Sequence, residues 1–282
     1  MALEIEQFLH TERLPHIWCP GCGVGIVTGA FLRAAVDLGL EREKTVVVSG
    51  IGCSSRASNY IDLGTVHSIH GRALAVATGI KMAKPKFTVV VLTGDGDGAA
   101  IGGNHLIHAC RRNIDLTCIL FNNQIYGMTG GQLSPTMDVG DRATTAPHGQ
   151  VERPFDLCRL AEAAGATFVA RGTAGHIRQM EKLIKRGIQH SGFSFIEAVA
   201  PCPTEYGRRN GTSNVVKMLE DERERSVSVA DAAKLSPEEL DDKIVTGVLH
   251  EDTKVLEFQK AYAASARAQA KATGRPSLEE EK

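Results

Sequence analysis

The sequence predicts a doubly wound α/β fold with a mostly parallel sheet. Three observations lead to this prediction: five short runs rich in β-branched residues, helical patterns that alternate with them, and a length of 282 residues, enough for one large domain with an appendage. Near-continuous apolar runs are typical of strands that are covered on both faces, as in a parallel sheet. Strands and helices in alternation then indicate a doubly wound arrangement.

The elements follow one another in a regular rhythm. The predicted strands lie at residues 45–50 (TVVVSG), 87–94 (FTVVVLTG), 116–122 (LTCILFN), 166–171 (ATFVAR) and 193–200 (FSFIEAVA). The predicted helices lie at residues 23–39, 71–84, 102–113, 154–165 and 174–189. One connection, residues 123–152, is long and rich in Gly, Thr and Pro. We expect this loop to be functional, because long loops in compact domains often are and because it leaves directly from a strand end.

Composition changes after about residue 210, which divides the chain into two predicted parts. Residues 1–210 form the predicted cofactor-binding domain, and residues 211–282 form a helical C-terminal extension or partner arm. In the second part, Ser236 and Pro237 have the pattern of a helix cap followed by a first helical residue. An Ala-rich helix is expected to follow and to end near Gly274.

Charge and cysteine content exclude several classes of protein. The formal net charge is −1, which gives no reason to expect binding to nucleic acid or to an anionic membrane. The stretch MALEIEQFLHTERLPH is acidic where a secretory leader would be basic, so we expect a cytoplasmic protein. The chain has 7 cysteines, an odd number that argues against a framework of structural disulfides in a reducing compartment.

A glycine-rich turn follows the second predicted strand. The residues Gly94, Asp95, Gly96, Asp97 and Gly98 come directly before a helical pattern. Glycines allow the backbone to approach a ligand closely, and the N–H groups at the start of a helix face an anion such as a phosphate. A plain turn is the alternative interpretation of this motif.

A second polar turn ends the next predicted strand. In LFNNQIYG, Asn123 follows Asp95 by one crossover helix and one return strand. If the two strands are neighbours, both side chains lie at the same edge of the sheet. Together with the backbone carbonyl of Ile125 they offer the hard oxygen ligands that Mg²⁺ prefers. The alternative is that the asparagines only terminate the strand.

Four cysteines are predicted to gather at the same edge. Cys53 follows the first predicted strand and Cys202 the fifth, while Cys19 and Cys22 lie in a loop before the first helix. Four converging thiolates suit a metal centre better than a disulfide switch, because a switch would need only the Cys19–Cys22 pair. Zinc and iron–sulfur clusters both accept four thiolates, and the sequence spacing does not distinguish them.

The ordered motifs of this chain resemble a known family. The Gly-Asp-Gly and Asn-Asn pair is similar to the thiamine diphosphate motif. The series WCPGCG, GIGCSSR, HGR, GDGDG, NNQIYGMTGGQLSPT and PCPTEYG resembles the β subunit of 2-oxoacid:ferredoxin oxidoreductases, over roughly residues 14–210. Six motifs in the same order make this resemblance specific.

The resemblance implies the cofactors and their ligands. It implies Mg²⁺ on Asp95, Asn123 and the Ile125 carbonyl, with the diphosphate of thiamine diphosphate in the Gly94–Gly98 turn. A four-iron four-sulfur cluster is implied on the four cysteines named above. His70 and Gly71, and the loop residues Gly127, Thr129 and Gln132, are expected to contact the cofactor or a bound intermediate.

The resemblance also implies partners and a reaction. The expected reaction is oxidative decarboxylation of a 2-oxoacid with coenzyme A, or its reverse, with electrons leaving through the cluster to ferredoxin. An α subunit is expected to supply the glutamate that activates the thiamine ring, in an (αβ)₂ assembly. Arg56, three residues after Cys53, suits a second substrate carboxylate and favours 2-oxoglutarate. The alternatives are a non-redox thiamine-dependent decarboxylase subunit and a zinc-binding assembly subunit.

Overall fold

The computed structural model describes residues 2–273. Its strands are β1 (Thr45–Ser49), β2 (Gly64–His67), β3 (Thr88–Gly94), β4 (Thr117–Asn122), β5 (Ile125–Tyr126), β6 (Gln132–Leu133), β7 (Phe168–Thr173), β8 (Ser194–Val199), β9 (Ser226–Ser228) and β10 (Ile244–Glu251). Its α-helices are α1 (Ala2–Ile5), α2 (Gly23–Asp37), α3 (Ala73–Ala83), α4 (Gly103–Arg112), α5 (Leu157–Ala163), α6 (Ile177–Gln189), α7 (Val215–Arg225), α8 (Val229–Ala232), α9 (Pro237–Leu240) and α10 (Phe258–Thr273).

Eight strands form one sheet in the order β2-β1-β3-β4-β8-β7-β10-β9. Every neighbouring pair is parallel except β7 and β10, which are antiparallel. The predicted fold class is confirmed, and each of the five predicted strands corresponds to an observed strand. The five predicted helices correspond to α2 to α6.

The sheet has a separate apolar core on each face. Successive residues of a strand point to opposite faces. Val90 therefore packs with α2 and α6 on one face, whereas Val91 packs with α3, α4 and α5 on the other. Because helices cover both faces of the sheet, the central strands are apolar at nearly every position.

The sheet also contains strands that the sequence pattern did not predict. β2 is a short edge strand whose residues alternate between partly buried and exposed. β10 lies within the segment that we expected to be helical, and it pairs with β7. Gly247 has a φ of 124° and a bulge follows at Val248, so this strand lacks the regular apolar run that revealed the others.

Two expectations for the C-terminal part agree with the structure. Ser236 caps α9 in a capping box with Glu239, and Pro237 is the first helical residue. The Ala-rich segment forms α10; its expected end near Gly274 lies outside the described residues. The proposed boundary at residue 210 stays a prediction. Within residues 2–273, no helix is both long enough and apolar enough to span a membrane.

Candidate functional site

The candidate site lies at the carboxyl edge of four neighbouring strands. β1, β3, β4 and β8 are adjacent and parallel, so their C-terminal ends meet at one edge of the sheet. Cys53, Asp95, Asn123 and Cys202 each follow one of these strands, within four residues of its end. The edge therefore collects residues that are far apart in the sequence.

The turn after β3 is tightly packed against its surroundings. Asp95 caps a π-helical turn over Gly96–Ile101, with its side chain accepting a hydrogen bond from the Gly96 amide at 2.9 Å. A side chain at Gly96 would collide with the ring of Tyr126, whose atoms lie 2.2–2.6 Å from the position of an added Cβ. The Tyr126 hydroxyl donates to the Gly96 carbonyl at 3.0 Å. Glycine is required here for close approach of another side chain.

Asp95 is a buried carboxylate that has only neutral hydrogen-bond partners. The residue is 3% exposed, and Thr136 donates to its Oδ2 at 2.8 Å. Burial raises the pKa of Asp95, and hydrogen bonds from Thr136, Ser134 and the Gly96 and Gln124 amides offset part of this effect. Among the described residues, no cationic side chain forms an ion pair with it. A buried anion of this kind is stabilised by a cation.

Asp97 is fully occupied by protein donors. Its Oδ1 accepts hydrogen bonds from the amides of Ile51 at 3.2 Å and Gly71 at 2.7 Å and contacts His70 Nδ1 at 2.6 Å. Its Oδ2 accepts from the Thr93 hydroxyl at 2.6 Å. These contacts join the loop after β1 to the turn before α3, and the cofactor contact expected of Asp97 stays a prediction.

The two asparagines at the end of β4, Asn122 in the strand and Asn123 just after it, have different hydrogen-bond partners. Asn122 donates from Nδ2 to Glu197 Oε1 at 2.7 Å and accepts from the Gln124 amide at 3.3 Å. Gln124 has a φ of 63°, a left-handed conformation that disfavours residues other than glycine. The turn brings the Gln124 amide close to Asp95. Asn123, its Oδ1 3.4 Å from the Ile125 amide, follows the strand end in this turn.

Two hydrogen bonds to backbone carbonyls bring the cysteine segments together. The Trp18 indole donates to the Cys53 carbonyl at 2.8 Å, and the Gly23 amide donates to the Pro201 carbonyl at 3.0 Å. The first contact joins the CPGC segment to Cys53, and the second joins it to the segment of Cys202.

Two of the four sulfur atoms, those of Cys53 and Cys202, lie beside Gly127. A Cβ added at Gly127 would lie 3.6 Å from Cys53 Sγ and 3.7 Å from Cys202 Sγ. Burial raises the pKa of Cys22 to about 12 and that of Cys53 to about 11, and repulsion from the other thiols of the set adds to both shifts. The four thiols are therefore close enough to interact electrostatically.

Backbone amides face three of the four sulfurs. The backbone of Val24 at Cys22, of Met128 at Cys53, and of Thr204, Glu205 and Tyr206 at Cys202 lowers the pKa of each thiol and offsets part of the effect of burial. These backbone hydrogen bonds favour the thiolate form that metals bind. Among the described residues, no three Cys, His, Asp or Glu side chains are close enough to bind one metal ion as they stand.

The remaining predicted site residues lie around this edge. The His70 Nδ1 atom lies 2.6 Å from Asp97 Oδ1. The next residue, Gly71, has a φ of 72°. Arg56 lies on a 3-10 turn over Ser54–Asn59 and is of intermediate exposure. Its side chain has no hydrogen-bond or ion-pair partner in the part of the chain that the structure describes. Thr129 and Gln132 hydrogen-bond each other in the loop.

The structure adds functional candidates that the sequence analysis missed. Thr136 contacts Asp95 across 41 positions, and no local pattern indicates such a contact. Tyr126 was part of a quoted motif but had no assigned role. Glu197 is the only charged residue in the apolar run FSFIEAVA, and this exception to the pattern indicates a buried polar role. Cys110, Cys118 and Cys158 are buried and lie away from the thiol set, in the core on one face of the sheet.

Comparisons with known proteins find a family model and several similar proteins. Residues 50–198 match the family model described as thiamine pyrophosphate enzyme, C-terminal TPP binding domain. The chain is 54% identical over 241 residues to 2-oxoglutarate synthase subunit KorB of Methanocaldococcus jannaschii, covering 86% of this chain and 89% of that protein. It is 56% identical over 230 residues to the subunit of the same name from Archaeoglobus fulgidus, covering 82% and 85%.

A solved structure is also similar. The 2-oxoglutarate:ferredoxin oxidoreductase from Magnetococcus marinus, with 2-oxoglutarate, coenzyme A and succinyl-CoA bound, matches with a TM-score of 0.83 and 31% identity. The match covers 97% of this chain and 91% of that chain. The likeness therefore extends beyond the cofactor motif to almost the entire chain.

Proposed function

Because the chain belongs to the β-subunit family of 2-oxoacid:ferredoxin oxidoreductases, we propose that it is the thiamine diphosphate-binding subunit of a 2-oxoglutarate:ferredoxin oxidoreductase. The complete enzyme converts 2-oxoglutarate and coenzyme A to succinyl-CoA and CO₂, or runs in reverse. Electrons pass singly through an iron–sulfur cluster to ferredoxin. The observation that carries the proposal is that the Asp95 turn and four thiols occupy one sheet edge.

The magnesium site is proposed on Asp95, Asn123 and the Ile125 carbonyl. The support is chemical: Asp95 is a buried anion whose described partners are all neutral, and the oxygen donors around it suit a hard divalent cation. The Gly94–Gly98 turn offers glycines and N–H groups for a diphosphate. When bound, thiamine diphosphate supplies the carbanion chemistry of decarboxylation.

The cluster is proposed on Cys19, Cys22, Cys53 and Cys202. A Cys₄ zinc site requires every sulfur at about 2.3 Å from one ion. In a four-iron cluster each cysteine binds a different iron, so the sulfurs stand farther apart. The four thiols come from three segments at the edge that also carries Asp95, and a one-electron acceptor beside thiamine diphosphate suits the proposed redox reaction. The backbone amides that face the sulfurs suit it as well, because such hydrogen bonds tune cluster potentials.

A short segment of backbone connects the two proposed cofactor sites. Ile125 belongs to the metal site, whereas Gly127 lies against the sulfurs of Cys53 and Cys202, and the Met128 amide faces Cys53. Three residues span at most about 11 Å. The proposed cofactors are therefore neighbours, as transfer of single electrons between them requires.

Arg56 is proposed to bind the distal carboxylate of 2-oxoglutarate. It is a cation beside the site without a partner among the described residues, and a guanidinium pairs with a carboxylate through two hydrogen bonds. This role distinguishes 2-oxoglutarate from pyruvate, which has a single carboxylate.

An α subunit is proposed to cover the same edge and complete the site in an (αβ)₂ assembly. Large apolar side chains beside the site residues are exposed, as at partner interfaces. They are Ile17 (65%), Ile51 (41%), Ile69 (72%), Ile101 (51%) and Met128 (41%).

The test is anaerobic co-purification with the α subunit, followed by metal analysis and viologen reduction with several 2-oxoacids. We expect iron and sulfide, thiamine-dependent dye reduction and preference for 2-oxoglutarate. Asp95→Asn should abolish turnover and retain the cluster, while Asp37→Asn on α2 serves as the matched control.

An aldehyde product without dye reduction would indicate a non-redox decarboxylase. A colourless, zinc-loaded protein that binds no thiamine diphosphate would indicate an assembly subunit.

A further inference from the structure

Glu197 is a buried carboxylate that the proposed reaction does not use. It lies in β8 with 3% exposure, between β4 and β7. Its side chain is on the face covered by α5, where Phe195 and Cys158 belong to the apolar core. An ionised group in such a place is costly unless every oxygen has a partner.

Both oxygens of Glu197 are occupied. Oε1 accepts from Asn122 Nδ2 at 2.7 Å, while Oε2 accepts from Arg171 Nε at 2.6 Å and from the Cys158 thiol at 3.2 Å. Arg171 also donates to Asp156 at 2.8 Å. Buried ion pairs contribute little net stability compared with apolar side chains of similar volume. The hydrogen bond from Asn122 to Glu197 indicates that this ion pair has a role other than stability.

Glu197 determines which way the Asn122 amide points. Because Nδ2 donates to Glu197, Oδ1 is turned toward the Gln124 amide, from which it accepts at 3.3 Å. This bond supports the left-handed conformation of Gln124. The Gln124 side chain in turn donates to the carbonyl of Thr136, whose hydroxyl donates to Asp95.

We propose that Glu197 is a positioning residue for the magnesium site. Through the Asn122 amide it fixes the Gln124 turn, and the turn presents the Asn123 side chain and the Ile125 carbonyl beside Asp95. The inference rests on the proposed function, since the metal site is part of that proposal. Glu197 itself touches neither metal nor substrate.

The substitution Glu197→Gln tests this orientation. The Gln amide should direct its oxygen to the Arg171 cation and its NH₂ to Asn122. Two NH₂ groups would then face each other, so Asn122 must rotate and present its own oxygen to position 197. Its NH₂ would then face the Gln124 amide, and the hydrogen bond that supports the turn would be lost.

A second substitution should restore the turn. In Glu197→Gln/Asn122→Asp, one carboxylate oxygen at position 122 accepts from the Gln NH₂ and the other accepts from the Gln124 amide. The pair carries the same total charge as the wild type, and Arg171 keeps Asp156 as a partner. Restored pairing between positions 197 and 122 should raise Tm as well, so the Mg²⁺ affinity is compared with Tm for every variant.

The measurement is Mg²⁺ titration of the αβ complex at saturating thiamine diphosphate, followed by calorimetry, with Tm recorded for each variant. We expect Glu197→Gln to weaken the apparent Mg²⁺ affinity by about 10- to 100-fold, the usual effect of residues that orient metal ligands. The double variant should recover to within about threefold of wild type. Glu181→Gln is the control, because Glu181 on α6 is a buried carboxylate that pairs with Arg33 of α2 at 2.9 Å. This substitution should change Tm only.

The outcomes separate this inference from the proposed function. Wild-type affinity in Glu197→Gln, or a double variant no better than the single one, would overturn the positioning role. Absence of Mg²⁺-dependent thiamine diphosphate binding by the wild-type complex would instead contradict the proposed function. If Glu197→Gln does not fold, Asn122→Ala replaces it, since the Glu197–Arg171 pair stays intact. Weakened Mg²⁺ affinity there supports the inference, and unchanged affinity overturns it.

Discussion

The indole nitrogen of Trp18 donates a hydrogen bond at 2.8 Å to the carbonyl oxygen of Cys53, a residue 35 positions later in the chain. The same ring packs against His16 and Tyr60, at centroid distances of 4.9 and 5.2 Å. Trp18 therefore holds the CPGC segment, with two of the four proposed cluster ligands, onto the segment that carries the third.

Trp18→Phe should weaken cluster retention without unfolding the protein. Phenylalanine keeps most of the aromatic packing but removes the N–H donor, so the CPGC segment loses its direct bond to Cys53. We expect lower iron content per αβ unit and faster loss of visible absorbance in air. Tyr262→Phe, at an exposed aromatic of α10, is the control. Equal iron content and equal air stability in Trp18→Phe and wild type would contradict this interpretation.

Cysteines of the thiol set and of the core should respond differently to substitution. Cys202→Ser removes a proposed cluster ligand, so we expect loss of iron, sulfide and dye reduction while thiamine diphosphate still binds. Cys118→Ser changes a cysteine with 0% exposure in the core, and we expect a lower Tm with full iron content. Iron and sulfide assays on anaerobically purified complexes measure the difference. Iron loss in both variants, or in neither, would argue against the proposed ligand set.

The carboxyl-edge site could be predicted because it depends on local patterns and one topological rule. Apolar runs identified the central strands, and parallel strands bring the residues after them to one edge. Cys53, Asp95, Asn123 and Cys202 follow from that reasoning alone. The β10 strand could not be predicted in the same way, since Gly247 and a bulge interrupt its pattern.

The sequence pattern could not predict which side chains contact one another at the site. Thr136 reaches Asp95 from a loop whose path depends on tertiary contacts, including the β5–β6 pairing. Asp97 has the same residue type as Asp95 and lies in the same motif, yet four protein donors occupy it. Sequence spacing alone does not distinguish a carboxylate left available to a metal from one used to join loops.

Arg56→Ala should reduce the preference for dicarboxylic substrates. If the guanidinium pairs with the distal carboxylate, its loss removes a charged hydrogen-bond interaction of about 1.5–3 kcal/mol. We therefore expect the KM for 2-oxoglutarate to rise by about 10- to 100-fold, with little change in the KM for pyruvate. Arg56→Lys should recover part of the loss, because it keeps the charge without the bidentate geometry. Steady-state dye reduction with both oxoacids measures the effect.

The control for this prediction is Arg186→Ala, which removes a cation that pairs with Glu251 at 2.7 Å. Arg186 lies near the end of α6, just before the chain enters β8 at the edge opposite the site. An unchanged KM for 2-oxoglutarate in Arg56→Ala, or an equal rise for both oxoacids, would exclude the proposed carboxylate contact.

Glu222 links the C-terminal part of the chain to the start of α6. It lies on α7 with 7% exposure, and its Oε2 accepts a hydrogen bond from the Gly175 amide at 2.8 Å. Burial raises the pKa of Glu222 to about 8. The folded state thus holds this proton more tightly than the unfolded chain does. The resulting stabilisation is complete below the unfolded pKa of about 4.5 and is lost as pH rises through about 8.

Glu222→Gln should therefore stabilise the protein at high pH. Glutamine resembles the protonated acid and still accepts from Gly175, but it carries no charge to bury. We expect a free energy of unfolding higher than that of wild type at pH 9, by on the order of 1 kcal/mol or more, and a difference that shrinks toward zero near pH 5. Urea unfolding at several pH values measures it, with the exposed Glu224→Gln on the same helix as control. A difference that is constant with pH would mean that the Glu222 carboxyl titrates equally in the folded and unfolded states.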